Sequence, residues 1–128
     1  MEGVGIDIIE IDRIARAVEN PRFVRRVYTE REIAYCRRFR GAARFAGRWA
    51  AKEAVMKALG RTFPWRTIEI VPQPGGAPRV VLAGAAAAAL GDRRVIVSIS
   101  HCNGYAVAQA VVLPAAGAPP SPRESPPG

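Results

Sequence analysis

Residues 45–60 read FAGRWAAKEAVMKALG, and this stretch decides the fold. Its large apolar residues recur at helical spacing with alanines between them, which predicts one long, closely packed helix. Gly60 suits the left-handed turn that ends a helix. The same helix carries four charged side chains: Arg48, Lys52, Glu53 and Lys57. Glu53 and Lys57 are four positions apart and therefore share a face. Such a pair either lies on a solvated surface or holds a metal ion and a phosphate side by side.

The two lysines of this helix are the only lysines among 19 basic residues. Lysine is a compact point charge on a flexible stem, whereas arginine is a planar fork. Because the chain uses arginine everywhere else, the pattern favours a specific role for Lys52 and Lys57.

The flanking segments predict an α+β fold. Residues 3–9 alternate as a strand, and three short helices precede the long one, the first capped by Asp12 and the third by a capping box from Thr29. A hairpin over residues 67–82, an alanine-rich helix over 84–90 and two last strands follow. Asn103 and Gly104 join these strands in a tight turn. We therefore expect a mostly antiparallel sheet packed against a long central helix and shorter helices.

The length of 128 residues fits one domain, which we place at residues 1–113. Residues 114–128 are rich in Pro, Ala, Gly and Ser and are expected to be a disordered tail. No apolar run is long enough to cross a bilayer, and the first residues lack the pattern of a signal peptide. These features predict a cytoplasmic protein that does not associate with membranes.

The net charge of +8 favours an acidic partner: nucleic acid, a phosphorylated cofactor or an acidic protein. The aromatic residues are too few and too scattered to form stacking platforms for single-stranded nucleic acid. Cys36 and Cys102 fit no metal-ligand spacing, and we expect both to be free thiols packed as small hydrophobic residues.

Asp7 is unusual because it lies inside an apolar strand, where aspartate is depleted. It either caps or pairs with a neighbouring element, or it binds a metal together with Glu53. Two carboxylates, phosphate oxygens and waters would suit Mg²⁺. The contact between Asp7 and Glu53 is the main structural prediction from the sequence.

Two further features have both a structural and a functional interpretation. His101, the only histidine, is either a packed residue of the last hairpin or a base. Five arginines of the first two helices form either a solvated basic face or a docking patch for an acidic surface: Arg13, Arg16, Arg22, Arg25 and Arg26.

Four segments, in this order, carry a resemblance to a known family: VGIDIIEIDRI at 4–14, YTERE at 28–32, the helix at 45–60 and VSISHCNGYA at 97–106. Together they resemble the holo-acyl-carrier-protein synthase family, the small class of 4′-phosphopantetheinyl transferases. The resemblance implies that the chain transfers the phosphopantetheine arm of coenzyme A to a serine of an apo acyl carrier protein and leaves 3′,5′-ADP. Fatty-acid or polyketide synthesis would use the product.

The resemblance also implies roles for single residues. Asp7 and Glu53 match the metal carboxylates for Mg²⁺, and Lys57 matches a lysine that contacts the cofactor phosphates. Arg48 and His101 match positions near the coenzyme A site. The catalytic set is thus Glu53, Lys57 and His101, with Glu53, a water on the metal and His101 as alternative bases.

The family is typically a homotrimer with active sites at the subunit interfaces. Arg13 matches best the arginines that bind the acidic carrier protein, and neither nucleic acid nor a membrane is an expected partner.

One departure from the family concerns the loop after Gly60, which is shorter here and contains Pro64 in place of a glycine-rich stretch. Two alternatives remain open on the sequence. A small basic RNA-binding module would explain the charge and size, and a non-catalytic subunit of a larger synthase would explain a broken cofactor loop.

Overall fold

A computed structural model describes residues 2–117. The predicted tail falls mostly on residues 118–128, which lie outside the described residues, so its disorder stays a prediction. Among the described residues, no helix has the length and apolar character that a membrane span requires.

The strands and helices follow one another in the predicted order. The elements are β1 (Gly3–Glu10), α1 (Ile11–Ala17), α2 (Pro21–Val27), α3 (Glu30–Cys36), α4 (Ala43–Leu59), a one-turn 3₁₀ helix (Trp65–Thr67), β2 (Ile68–Val71), β3 (Arg79–Leu82), α5 (Gly84–Leu90), β4 (Arg94–Cys102) and β5 (Tyr105–Leu113). The predicted α+β class is confirmed, and every predicted helix and strand is present.

Two antiparallel sheets form. One has three strands in the order β1-β5-β4, and the other is the β2-β3 hairpin. Asn103 and Gly104 both have positive φ, 51° and 82°, so the turn between β4 and β5 is the predicted tight one. The register pairs Asp7 with Ala108 and His101 with Ala106, which places Asp7 and His101 on the same face of the sheet.

Helix α4 packs across this face at unusually short range. Gly3 and Gly5 lie so close to α4 that an added Cβ at either position would collide with a carbonyl oxygen of the helix, that of Ala58 or Ala54. Glycine at these positions therefore lets the backbone of β1 approach α4. Because Asp7 follows on the same face of β1, this packing brings its carboxylate to the helix.

The opposite face of the three-stranded sheet is uncovered in the single chain. Ile6 is 61% exposed, Ile8 62% and Ile96 51%, and all three project from this face. We call the exposed apolar side chains of Val4, Ile6, Ile8 and Ile96 the outer sheet face. A row of large exposed apolar residues of this kind marks an interaction surface.

Two local predictions were wrong. Helix α1 begins at Ile11, directly after the strand, and has no side-chain cap, so Asp12 lies in its first turn and does not cap it. The reason is that the Ile11 amide donates to the carbonyl of Gly104, 2.8 Å away, which satisfies that group without a side chain. Cys102 is exposed at the end of β4, whereas Cys36 is buried as predicted. Burial raises the pKa of the Cys36 thiol to about 12, which makes that thiol unreactive.

Candidate active site

Lys57 connects α4 with β1 at the centre of the site. Its Nζ donates to the carbonyl of Ile6, 3.0 Å away, and to Oδ1 of Asp7, 3.2 Å away. Half of the Lys57 side chain remains exposed (52%), while Asp7 is only 16% exposed. The structure therefore holds this ammonium and this carboxylate together at the edge of a cleft, although 50 residues separate them in the chain.

Glu53 lies one helical turn before Lys57 and is partly buried. Burial raises its pKa, the negative charge of Asp7 raises it further, and Lys57 lowers it. Lys57 links the two carboxylates, because it bonds to Asp7 and shares a helix face and a cleft with Glu53. The structure thus places Asp7 and Glu53 each beside Lys57, and a direct contact between the two carboxylates stays a prediction.

Two clefts open beside this cluster. One, of about 440 Å³, is lined by Glu53, Met56, Lys57, Gly60, Arg61 and Thr62. The other, of about 280 Å³, is lined by Ile6, Asp7, Ile8, Lys57 and Val107, and it reaches the outer sheet face. Lys57 lines both clefts. We call the first of them the Glu53 cleft.

Arg48 and His101 line a different cleft of about 220 Å³, which we call the Arg48 cleft. Arg48 is 6% exposed, and its guanidinium lies 4.6 Å from the centre of the Tyr35 ring. Its Nε finds no hydrogen-bond partner among residues 2–117. A buried cationic N–H without a partner is costly, and an anion would satisfy it. This cleft and the Glu53 cleft share no lining residue, so within one chain the structure does not place His101 beside Glu53.

Lys52 lines none of these three clefts, so the structure gives it no direct role at the site. Its buried Nζ donates to the carbonyls of Val27, Trp65 and Ile68 at 2.8, 3.1 and 2.7 Å. It also forms a 2.7 Å ion pair with Glu32. Burial lowers the pKa of Lys52, and the charge of Glu32 opposes this effect. The specific role expected of Lys52 is therefore structural: it joins α4 to α2, α3 and the 3₁₀ helix.

Sequence reasoning missed the second function of Glu32. The capping box at Thr29 is present as predicted, but Glu32 also accepts from the amide of Ile70 at 2.8 Å while it pairs with Lys52. It missed Arg44 and Arg61 as well, which line the Arg48 cleft and the Glu53 cleft respectively. The position of Arg61 directly after Gly60 was the only available signal.

The five arginines of the predicted docking patch all lie exposed on α1 and α2. Within residues 2–117, none of them forms an ion pair with an acidic side chain. The basic surface is therefore available to an acidic partner. In the same range, no three side chains among His, Cys, Asp and Glu come together as a metal cluster.

Comparison with known proteins gives one consistent family. A family model described as the 4′-phosphopantetheinyl transferase superfamily matches residues 3–110. A holo-[acyl-carrier-protein] synthase of Moorella thermoacetica is 50% identical in an alignment of 116 positions that covers 84% of this chain and 91% of that protein.

Solved structures agree. A holo-(acyl-carrier-protein) synthase from Bacillus anthracis, in complex with coenzyme A (3′,5′-ADP), has a TM-score of 0.76 and 34% identity over 90% of this chain and 97% of that one. The Helicobacter pylori synthase in complex with coenzyme A has a TM-score of 0.77 and 32% identity over 85% of this chain and 98% of that one. The chain therefore belongs to the 4′-phosphopantetheinyl transferase superfamily.

Proposed function

We propose that this chain acts as a holo-[acyl-carrier-protein] synthase. It transfers the 4′-phosphopantetheine group of coenzyme A to a serine of an apo acyl carrier protein and releases 3′,5′-ADP. Its relatives are named for this activity, and related structures contain coenzyme A. The observation that supports it most is the contact of Lys57 with Asp7 beside Glu53, because it joins a cation and two carboxylates on the segments that carry the resemblance.

Mg²⁺ is part of this proposal. Asp7 and Glu53 both lie beside Lys57, and carboxylates are the oxygen ligands that Mg²⁺ prefers; two of them are enough for an ion that also takes phosphate oxygens and waters. When bound, the ion would neutralise the diphosphate of coenzyme A. The raised pKa of Glu53 fits this arrangement, since a nearby cation would favour its charged form.

Each residue has a distinct task in the transfer. The serine oxygen of the carrier forms a bond to the phosphorus that bears the pantetheine arm, and the bond from that phosphorus to the bridging oxygen breaks. The Lys57 ammonium would neutralise the negative charge that grows on the departing 3′,5′-ADP. The serine proton passes to Glu53 or to His101. Arg48, with its unpartnered Nε, holds another anionic group of coenzyme A.

We propose a homotrimer with sites between subunits. Two observations support this arrangement: the outer sheet face is exposed, and the Arg48 cleft and the Glu53 cleft are separate within one chain. The cleft with Asp7 and Lys57 also reaches the outer sheet face, so a neighbouring subunit on that face would adjoin the site.

Light scattering after gel filtration tests the trimer. Ile96→Glu places a charge on the outer sheet face and is expected to yield monomers with little transfer activity. Val81→Glu is the control, because Val81 is also an exposed apolar residue but belongs to the other sheet. A trimer that survives Ile96→Glu would contradict the assignment of this face.

The acidic carrier protein docks on the arginine patch in this proposal, with Arg13 as the principal contact. The cytoplasm as the site of the reaction, and residues 1–113 as the transferase unit, are parts of the same proposal. The family match over residues 3–110 agrees with such a unit.

Mass spectrometry of the carrier protein tests the function directly. Incubation with coenzyme A, Mg²⁺ and an apo carrier protein is expected to add one phosphopantetheine group per carrier. Glu53→Gln is expected to abolish the addition while the fold is kept. Glu30→Gln, at an exposed glutamate of α3, is the matched control and should transfer normally. Transfer by Glu53→Gln at the normal rate would refute the metal assignment, and no transfer by the unaltered protein would refute the function.

A further inference from the structure

We propose that Arg61 is an additional substrate-binding residue, whose guanidinium holds a phosphate of the coenzyme A diphosphate beside Lys57. This inference rests on the proposed function and concerns a residue in the shortened loop after α4. Arg61 lines the Glu53 cleft together with Glu53 and Lys57.

The backbone at Arg61 is held firmly against the end of α4. Gly60 adopts a φ of 85°, and its amide donates to the carbonyl of Met56 at 2.9 Å. The amide of Arg61 donates to the same carbonyl at 3.2 Å. This double closure of the helix end fixes where the Arg61 side chain starts. The Cα atom of Arg61 therefore has a fixed position relative to Lys57, which lies four residues earlier, on α4.

The side chain of Arg61 is supported on one side and open on the other. Its guanidinium carbon lies 4.8 Å from the centre of the Phe63 ring. Phe63 is itself buried in the core, so it offers a fixed surface for the cation. Arg61 is exposed, and within residues 2–117 it forms no ion pair with an acidic side chain. The stacked guanidinium thus keeps its N–H groups for a ligand.

The charge balance of the site favours a second cationic side chain, which Arg61 supplies. Asp7 and Glu53 contribute two negative charges and Lys57 one positive charge; with Mg²⁺ and the two negative charges of the diphosphate bound, the total would be −1. Lys57 is already bonded to Asp7 and to the carbonyl of Ile6. Arg61 brings the group to neutrality. An arginine fork also matches two oxygens of one phosphate, which a lysine does not.

Calorimetric titration with coenzyme A in the presence of Mg²⁺ tests the inference. We expect Arg61→Gln to raise the Kd for coenzyme A by about tenfold or more, the loss expected for charge-assisted hydrogen bonds to phosphate. Arg61→Lys should recover only part of this affinity. Arg66→Gln removes the same charge from an exposed arginine of the 3₁₀ helix that lines none of the described clefts, and it should bind within about twofold of the unaltered protein.

Dephospho-coenzyme A identifies the phosphate, because it keeps the diphosphate and lacks the 3′-phosphate. The tenfold effect of Arg61→Gln should persist with this ligand, and its disappearance would overturn the diphosphate assignment. Equal effects of Arg61→Gln and Arg66→Gln would also overturn the inference. Failure of the proposed function is distinguishable: there the unaltered protein would neither bind coenzyme A nor modify the carrier, whereas failure of this inference alone leaves both intact.

Discussion

Replacing Gly5 with alanine is expected to damage both the stability and the reaction, because Gly5 sets the distance between β1 and α4. A Cβ at this position would overlap the carbonyl oxygen of Ala54 and lie 2.8 Å from the amide nitrogen of Ala58 and 2.9 Å from Cβ of Lys57. Two of these obstacles are helix backbone, which cannot rotate away as a long side chain can. The strand and the helix must therefore separate.

The magnitude follows from this geometry. An ordinary contact needs at least 3.4 Å, so β1 and α4 must move apart by about 1.4 Å at the Ala54 carbonyl. Overpacking of a core costs about 1–3 kcal/mol, and backbone obstacles place Gly5→Ala at about 3 kcal/mol. In a domain of this size such a loss lowers Tm by roughly 10 °C. The same displacement stretches the bonds of Lys57 to Ile6 and Asp7, and a misplacement of about 1 Å can reduce a rate about 100-fold.

Two measurements on each variant check this prediction: Tm by calorimetry, and the rate of carrier modification at a temperature where the protein is folded. Gly76→Ala is the control for stability, because a Cβ there has no neighbour within 4 Å and Gly76 has no positive φ. Its Tm should stay within about 2 °C of the parent. A Gly5→Ala protein with parental Tm and a rate within about threefold would refute the reasoning that this close approach builds the site.

Three further predictions concern charged residues. The folded protein raises the pKa of Glu53, so the ionisation of this side chain opposes folding at neutral pH. Glu53→Gln should therefore keep or raise Tm at neutral pH, and the difference should vanish below about pH 4, where both side chains are neutral. A large fall in Tm at neutral pH would contradict this. Lys52→Met leaves the buried carboxylate of Glu32 unpaired and should cost about 3–5 kcal/mol in denaturant unfolding, and a second change, Glu32→Gln, should restore part of it. Arg13→Glu should raise KM for the carrier protein at low salt, with little change in KM for coenzyme A and a smaller effect at high salt; an effect independent of salt would argue against docking by charge.

Much of the fold could be predicted because its determinants are local. The left-handed Gly60, the capping box at Thr29 and the turn at Asn103 and Gly104 depend on hydrogen bonds within a few residues, which the backbone geometry of each element dictates. The failure at Asp12 has the opposite cause. There the backbone amide of Ile11 donates to the carbonyl of Gly104, which is distant in the sequence. No local sequence pattern predicts such a bond.

The sequence by itself determined which residue types were available for the chemistry: Asp7 in the first strand, and Glu53 with two lysines on the central helix. Only the tertiary structure decided their partners. It joined Lys57 to Asp7, and it buried Lys52 with Glu32. The physical reason is that a side chain's partner depends on how closely whole elements pack, and residues distant in the chain set that distance, as Gly5 does for β1 and α4.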